Sequence, residues 1–296
     1  MIDLIVPPIV AALVILSIHA YLGLHVIARQ VIFIDLAFAQ IAALGTTVAL
    51  LMGIEHGTTS SLLFSIAFTL IGALIFSFTR MEKSAVPQEA IIGISYVIAS
   101  ATVILLSGFT AEGAEHLRET LTGTLIWVDW PTITEMAGVY AVVGVFHYVL
   151  RRQFLTVTFN PDSAARTRLW DFLFYVSFGV VISFSVEIAG VLTVFSALVI
   201  PAVVAFLFTN RFNAALLIAW ASGTLAIVGG IGGSFYWDVA TGPFLVCAFG
   251  AVLIMAAIVC RLLGIRPDAT ITVTSLEGAE WTYAERPDEE RHSRDS

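Results

Sequence analysis

Long apolar runs separated by short polar segments make up most of this chain. A helix that crosses a lipid bilayer needs about 20 consecutive, mainly apolar residues. Nine runs satisfy that requirement, so the pattern predicts an all-α polytopic membrane protein with nine transmembrane helices. The runs are residues 4–26, 31–53, 58–79, 89–109, 132–150, 170–187, 188–208, 214–235 and 241–263.

The sixth and seventh runs meet at Glu187-Ile188-Ala189-Gly190, where no polar linker separates them. A junction this tight leaves eight transmembrane helices as the alternative, in which one of the two runs is short or tilted. Either count gives the same fold class.

Two segments are too polar to cross a membrane. Residues 267–296 hold eight acidic residues and three arginines, and we expect little regular structure there because such a segment buries little apolar surface. The sequence therefore predicts a transmembrane domain over residues 1–266 and a polar acidic tail over 267–296. The other segment, residues 110–131, is predicted to be a loop that carries Glu112, Glu115, His116, Glu119 and Asp129.

The composition also indicates that lipid, rather than water, surrounds most of this chain. Hydrophobic residues make up 58% of it and charged residues 12%, whereas a soluble domain has about 25% charged residues. Mean hydropathy is +0.94. The net charge of −8 and the scattering of the basic residues argue against a nucleic-acid partner.

The distribution of basic residues predicts the orientation. Alternation of the nine runs places thirteen of the fourteen Lys and Arg residues on one side, with Arg118 as the exception. Because cytoplasmic loops carry an excess of Lys and Arg, we expect the N-terminus outside and the C-terminus in the cytoplasm.

The sequence contains no phosphate-binding loop of the G-x-x-x-x-G-K-[ST] type. Its one lysine, Lys83, follows Glu82 rather than glycine. We therefore expect no nucleotide site and no enzymatic activity in this chain, and ATP-driven transport would require a separate ATPase.

Four segments carry a resemblance to a known family. They are Ala189 to Ala202 (A-G-V-L-T-V-F-S-A-L-V-I-P-A), Phe159 to Ala165 (F-N-P-D-S-A-A), Thr241-Gly242-Pro243 after Tyr236-Trp237-Asp238, and Gln88 to Ile94 (Q-E-A-I-I-G-I). In this order they resemble the permease subunits of zinc, manganese and iron ABC importers, the ABC-3 type.

The resemblance implies a function and a set of partners. It implies a subunit in the cytoplasmic (inner) membrane of a prokaryote that moves a divalent metal ion of the zinc, manganese or iron class into the cytoplasm. The expected assembly is a homodimer or close heterodimer in the lipid bilayer, with ABC ATPase subunits and an extracytoplasmic substrate-binding protein. ATP and Mg belong to the ATPase, and no cofactor is expected in this chain.

Residues 158–168 are predicted to dock on the ATPase. The segment is polar, lies in an arginine-rich loop between two runs, and starts a short helix that Asn160 can cap, with Pro161 and Asp162 in its first turn. The resemblance assigns the docking role to Asn160, Pro161, Asp162 and Ala165. An ordinary capped helix at the membrane interface is the alternative.

Asp35, Gln40 and His19 are the candidate metal residues, because ionisable groups at membrane depth are functional candidates by default. The family has an aspartate followed four residues later by a histidine; here Asp35 keeps the aspartate, and Ala39 or Gln40 replaces the histidine. His19 could supply an imidazole if the first two helices form an antiparallel hairpin. The alternatives are a neutral His19 bonded to a neighbouring helix and a structural Asp35 paired with Arg29.

Three further ionisable residues receive weaker predictions. His147, near the cytoplasmic end of its run, is expected to extend to the interface. Glu187 and Asp238 lie at external helix ends, where they either line a funnel for the cation or cap helices.

Two other functions compete with the importer subunit. A secondary cation transporter or channel that works alone would be expected to have more acidic residues and broken helices at the membrane centre. A membrane-embedded assembly or sensor protein would account for the acidic tail but not for the docking segment.

Overall fold

The protein is described by a computed structural model over residues 2–55, 57–79, 86–109, 113–159, 167–265, 271–274 and 280–283. Ten α-helices and a short 3-10 helix, η1, account for nearly all of these residues. The α-helices are α1 (Ile2–Ala28), α2 (Ile34–Leu51), α3 (Thr59–Thr79), α4 (Gln88–Ser107), α5 (Gly113–Thr122), α6 (Trp130–Val149), α7 (Arg151–Phe159), α8 (Thr167–Phe208), α9 (Phe212–Trp237) and α10 (Thr241–Leu262); η1 is Leu125–Trp127.

Eight helices in the described ranges are long and apolar enough to cross a membrane, and the short helices α5 and α7 are not among them. Large apolar side chains are exposed along α3, α4, α6, α9 and α10. An apolar surface of this extent is rare on a soluble monomer. The predicted all-α membrane fold is therefore confirmed.

The longest helix, α8, turns back on itself at Gly190, whose φ of 75° and ψ of 157° are not helical. Asp171, near its start, bonds Arg29 at the end of α1, and Phe212, just after its end, contacts His25 of α1. Both ends of α8 thus lie at the same end of the bundle. At about 1.5 Å per residue, the arms 167–189 and 191–208 are about 34 and 27 Å long, enough for two crossings.

The eight long helices therefore make nine crossings within the described part of the chain, and the junction that the sequence places at Glu187–Gly190 is the turn between two of them. α8 also decides the neighbours of the first two helices. α1 packs chiefly against α8 and α9, whereas α2 packs against α3, α4 and α8. α1 and α2 therefore do not pack as the antiparallel hairpin that a metal role for His19 would require, because α8 lies beside each helix.

The two ends of the helix bundle differ in the charges that they carry. The basic end carries Arg29, Arg151, Arg152, Arg168, Arg211 and Arg261, and the acidic end carries Glu115, Asp129, Glu135, Glu187 and Asp238. Arg118 is the one basic residue described at the acidic end, where it bonds Glu115 at 2.7 Å. This asymmetry underlies the predicted orientation, which stays a prediction.

The tail contains regular structure that the sequence analysis did not predict. Strands β1 (Ile271–Thr274) and β2 (Glu280–Tyr283) pair antiparallel, with Ile271 opposite Tyr283. Both strands are rich in threonine, β-branched and aromatic residues, which suit a pleated strand. The acidic residues that dominate the tail lie mostly outside these eight positions.

Candidate functional site

A cavity of about 390 Å³, the acidic mouth, lies at the acidic end between the starts of α3 and α6, η1 and the turn of α8. Three carboxylate residues line it: Asp129, Glu135 and Glu187. Four threonines also line it, namely Thr58, Thr59, Thr124 and Thr132. Acidic groups around a concave opening raise the local concentration of cations.

Local structure fixes two of these carboxylates. Asp129 is the N-cap of α6 and accepts a hydrogen bond from the Thr132 N–H at 3.0 Å. Hydrogen bonds from the Thr132 side chain and from the Thr132 N–H lower the pKa of Asp129. Glu187 stands three residues before the turn at Gly190, where α8 packs closely on the backbone of Gly123.

Of the two alternatives for Glu187 and Asp238, a funnel or helix capping, Glu187 has the position that a funnel requires, and its role toward a cation stays a prediction. Asp238 is not among the residues that line the mouth. It is the C-cap residue of α9, in the left-handed conformation with φ of 51°.

A second, inner cavity of about 20 Å³ shares Glu187 with the acidic mouth. Its volume is enough for about one water molecule. Hydroxyl-bearing residues of four helices line it: Thr46 of α2, Ser65 of α3, Thr120 of α5 and Ser183 of α8. One turn farther from the mouth, the hydroxyls of Thr69 and Ser183 lie 3.3 Å apart. A polar route thus runs from the mouth along the α2–α3–α8 interface.

Below the inner cavity, aromatic rings fill the same interface. The centroid of Phe38 lies 5.3 Å from that of Phe76 and 5.7 Å from that of Phe178, and Tyr175 contacts Phe76 at 6.5 Å. All four side chains are fully buried. This aromatic layer closes the polar route toward the basic end.

Asp35 lies one turn beyond Phe38, on the basic side of the aromatic layer. α2 begins at Ile34, so Asp35 stands in its first turn rather than well inside the span as the sequence suggested. Its side chain is 1% exposed, and neither carboxylate oxygen has a hydrogen-bond partner among the described residues. The alternative pairing of Asp35 with Arg29 is wrong, since the Arg29 guanidinium bonds Asp171 instead.

The other two candidate metal residues are buried but separate. Gln40 lies on α2, five residues beyond Asp35. His19 is fully buried in α1, where its Nδ1 lies 2.8 Å from the Ile15 carbonyl of the same helix and therefore donates to it. Within the described ranges, no group of three His, Cys, Asp or Glu side chains is placed to hold a metal.

A buried polar cluster occupies the basic end. The Arg29 Nη1 bonds Asp171 Oδ1 at 2.9 Å, with both side chains almost fully buried. Its Nε donates to the Thr158 hydroxyl at 3.0 Å, and His25 Nδ1 lies 2.8 Å from the same hydroxyl. Sequence reasoning missed this cluster, because its members come from distant parts of the chain.

His147 belongs to the same region, and its predicted extension to the membrane interface is wrong. Its side chain is buried, its Nε2 lies 2.8 Å from the Ser177 hydroxyl, and its ring stacks on Phe154 at 4.2 Å. The single Ser177 hydroxyl proton can point to the Leu173 carbonyl, the Phe174 carbonyl or His147 Nε2, which all lie within 2.9 Å of its oxygen. α7 and α8 cover the ring, which the local pattern around His147 cannot reveal.

The predicted docking residues Asn160, Pro161, Asp162 and Ala165 lie outside the described residues. The helix before them, α7, ends at Phe159 on the basic end. The start of α8 at Thr167 lies at that end too. The chain therefore enters and leaves the docking segment at the basic end.

Comparison with known proteins gives one family. A sequence profile described as the ABC 3 transport family matches residues 1–260. The manganese transport system membrane protein MntC of Halalkalibacterium halodurans is 24% identical over 251 residues, which cover 83% of this chain and 84% of that protein. The chelated iron transport system membrane protein YfeD of Yersinia pestis is 26% identical over 185 residues, 60% of this chain and 61% of that protein.

A solved structure shares the fold. PsaBC from Streptococcus pneumoniae, in complex with a Fab, contains a chain that superposes with a TM-score of 0.70 at 20% identity. The superposition covers 84% of this chain and 89% of that one.

Proposed function

The chain belongs to the ABC 3 transport family, which makes it the multi-pass membrane subunit of an ABC transporter, and we propose that its cargo is a divalent metal ion. The observation that carries the proposal is the acidic mouth, which opens onto a polar route toward the aromatic layer. Relatives named for manganese and iron transport support a metal cargo.

We propose Asp35 as the carboxylate that the cation meets after the aromatic layer has opened. Gln40, on the same helix, is the next oxygen donor along α2. His19 contributes only in a state that brings α1 and α2 together, because α8 and α9 are the chief partners of α1 here. Carboxylate, amide and hydroxyl oxygens favour a harder ion of the manganese type over zinc.

The assembly in this proposal follows the charge of the two ends. The basic end faces the cytoplasm and binds a separate ABC ATPase, which holds ATP and Mg. The acidic end receives the metal from a substrate-binding protein outside the cytoplasmic membrane. A second copy, or a close relative, completes the membrane dimer.

Reconstitution tests the function directly. The chain, assembled with its ATPase in liposomes, should take up Mn²⁺ in the presence of ATP and prefer it to Zn²⁺. The isolated chain should hydrolyse no ATP. Uptake that needs no ATPase, or a complete assembly that moves no divalent ion, would contradict the proposal.

Deleting residues 160–166 should uncouple the ATPase while the membrane domain stays folded, because the segment is polar and the described parts of α7 and α8 end before it and begin after it. Asp162→Lys should have the same effect through charge reversal. The measurement is ATP hydrolysis and Mn²⁺ uptake by the assembled complex, with Asp268→Lys in the tail as the matched control. Normal coupling in the deletion would show that the ATPase docks elsewhere.

A further inference from the structure

Four side chains of α7 are buried at the basic end, namely Phe154, Val157, Thr158 and Phe159. Phe154 stacks on His147 of α6, and Phe159 contacts Phe212 at the start of α9 at 5.9 Å. Between them, Thr158 is 2% exposed and makes the polar contacts of the helix with α1. Phe154 also contacts Trp170 and Phe174 of α8, at 6.0 and 6.2 Å, so α7 packs on α8 directly as well as bonding α1 through the Thr158 hydroxyl.

The Thr158 hydroxyl joins α7 to Arg29. Because a guanidinium can only donate, the hydroxyl oxygen accepts the bond from Arg29 Nε. Thr158 thus holds the same side chain that bonds Asp171 on α8. The three residues form one continuous chain of hydrogen bonds from α7 through the end of α1 to α8, here called the α7–α8 link.

The last part of the link resists separation. Arg29 and Asp171 are 2% and 1% exposed, and the guanidinium also lies 4.0 Å over the Phe174 ring. Separating this pair would leave two buried charges without a partner, which is strongly destabilising. α8 must therefore follow Arg29 when α7 moves.

The first arm of α8 runs without interruption from Asp171 to Glu187, which lines both the acidic mouth and the inner cavity. A displacement at Asp171 therefore reaches the opposite end of the bundle through one helix. The same arm carries Tyr175 and Phe178 of the aromatic layer.

We propose that Thr158, Arg29 and Asp171 are positioning residues that transmit movement of the docking segment to the acidic mouth. This inference rests on the proposed function, because it needs an ATPase that moves residues 158–168. Contiguity alone does not establish coupling. The link must be tested by changing its polar part while keeping its packing.

Thr158→Val removes the polar part of the link and keeps its packing, since valine has the shape of threonine without the hydroxyl. Arg29→Lys keeps the charge beside Asp171 and removes the Nε donor. Thr156→Val is the matched control, because Thr156 lies on the same helix, is only half-buried, and donates its hydroxyl to the Arg152 carbonyl of its own helix.

The readout is the reactivity of the acidic mouth in the assembled complex. A Thr132→Cys reporter, made with Cys247 and Cys260 replaced by alanine, should react with a charged thiol reagent at a rate that changes when ATP is added. Thr158→Val and Arg29→Lys should each reduce that change, and the number of Mn²⁺ ions moved per ATP, by about 2- to 30-fold. Thr156→Val should leave both quantities unchanged.

The double variant separates transmission from loss of stability. If both residues act through one bond, Thr158→Val combined with Arg29→Lys should do no more than either alone. A Thr158→Val complex with the original ATP response and ion-to-ATP ratio would refute the link but not the proposed function. If the complex without any substitution shows no ATP-dependent Mn²⁺ uptake, both the α7–α8 link and the proposed function are refuted.

Discussion

In a Gly190→Ala variant, most of the protein molecules should fail to reach the folded state in the membrane. Gly190 has φ of 75° and ψ of 157°, a region that essentially only glycine occupies, and strain of this kind costs about 1–3 kcal/mol. A Cβ at this position would also meet the Gly123 nitrogen and lie 2.6 Å from the Thr122 carbonyl carbon. Both are backbone atoms, so the clash can be relieved only by moving η1 and α5 away from α8.

The yield of monodisperse protein in detergent and its thermal unfolding measure this effect. Gly229→Ala, in the middle of α9, is the control, because a Cβ there meets nothing within 4 Å and alanine is the better helix former. Wild-type yield and melting temperature in Gly190→Ala would show that the turn does not need glycine.

Asp35→Asn should abolish metal uptake, with a loss of at least about tenfold in the maximal rate, or about 1.4 kcal/mol. The amide keeps the size of the carboxylate and removes the charge that attracts the cation. Because neither oxygen of Asp35 has a partner in the described residues, the change breaks no hydrogen bond. Its melting temperature should therefore equal or exceed that of the unchanged protein, as is common when a strained functional group is removed.

Glu187→Gln provides the contrast for this experiment. Glu187 lies at the acidic mouth, where its charge concentrates cations before they enter. The change should raise the metal concentration needed for half-maximal uptake and leave the maximal rate unaltered. Wild-type uptake by Asp35→Asn would show that the metal takes another route and that Asp35 is a structural carboxylate.

The sequence predicts the membrane-spanning elements of this protein well, because their signal is local. Twenty apolar residues in a row are visible without any knowledge of neighbours, and the junction before Gly190 is visible as the absence of a linker. The position of Glu187 at a helix end made a funnel one of its two predicted roles, and in the structure it lines the acidic mouth.

The contacts between helices could not be predicted in the same way. The metal role considered for His19 required α1 and α2 to pack as a hairpin, but α8 packs beside both helices. Arg29 and Asp171 are 142 residues apart, and no local pattern shows that they meet. The exposure of His147 was misjudged for the same reason, since the helices that cover it are outside its own run.

The turn of α8 also constrains how the chain enters the membrane during synthesis. Only one non-helical residue joins the arms 167–189 and 191–208. No loop is therefore available to lie on the opposite side of the membrane while the second arm is synthesised. We therefore expect the two arms to insert together as one hairpin with Glu187 near its tip, and in the predicted orientation Glu187 then crosses the hydrocarbon region. A ribosome that pauses inside the second arm would hold the first arm at the translocon until its partner is complete.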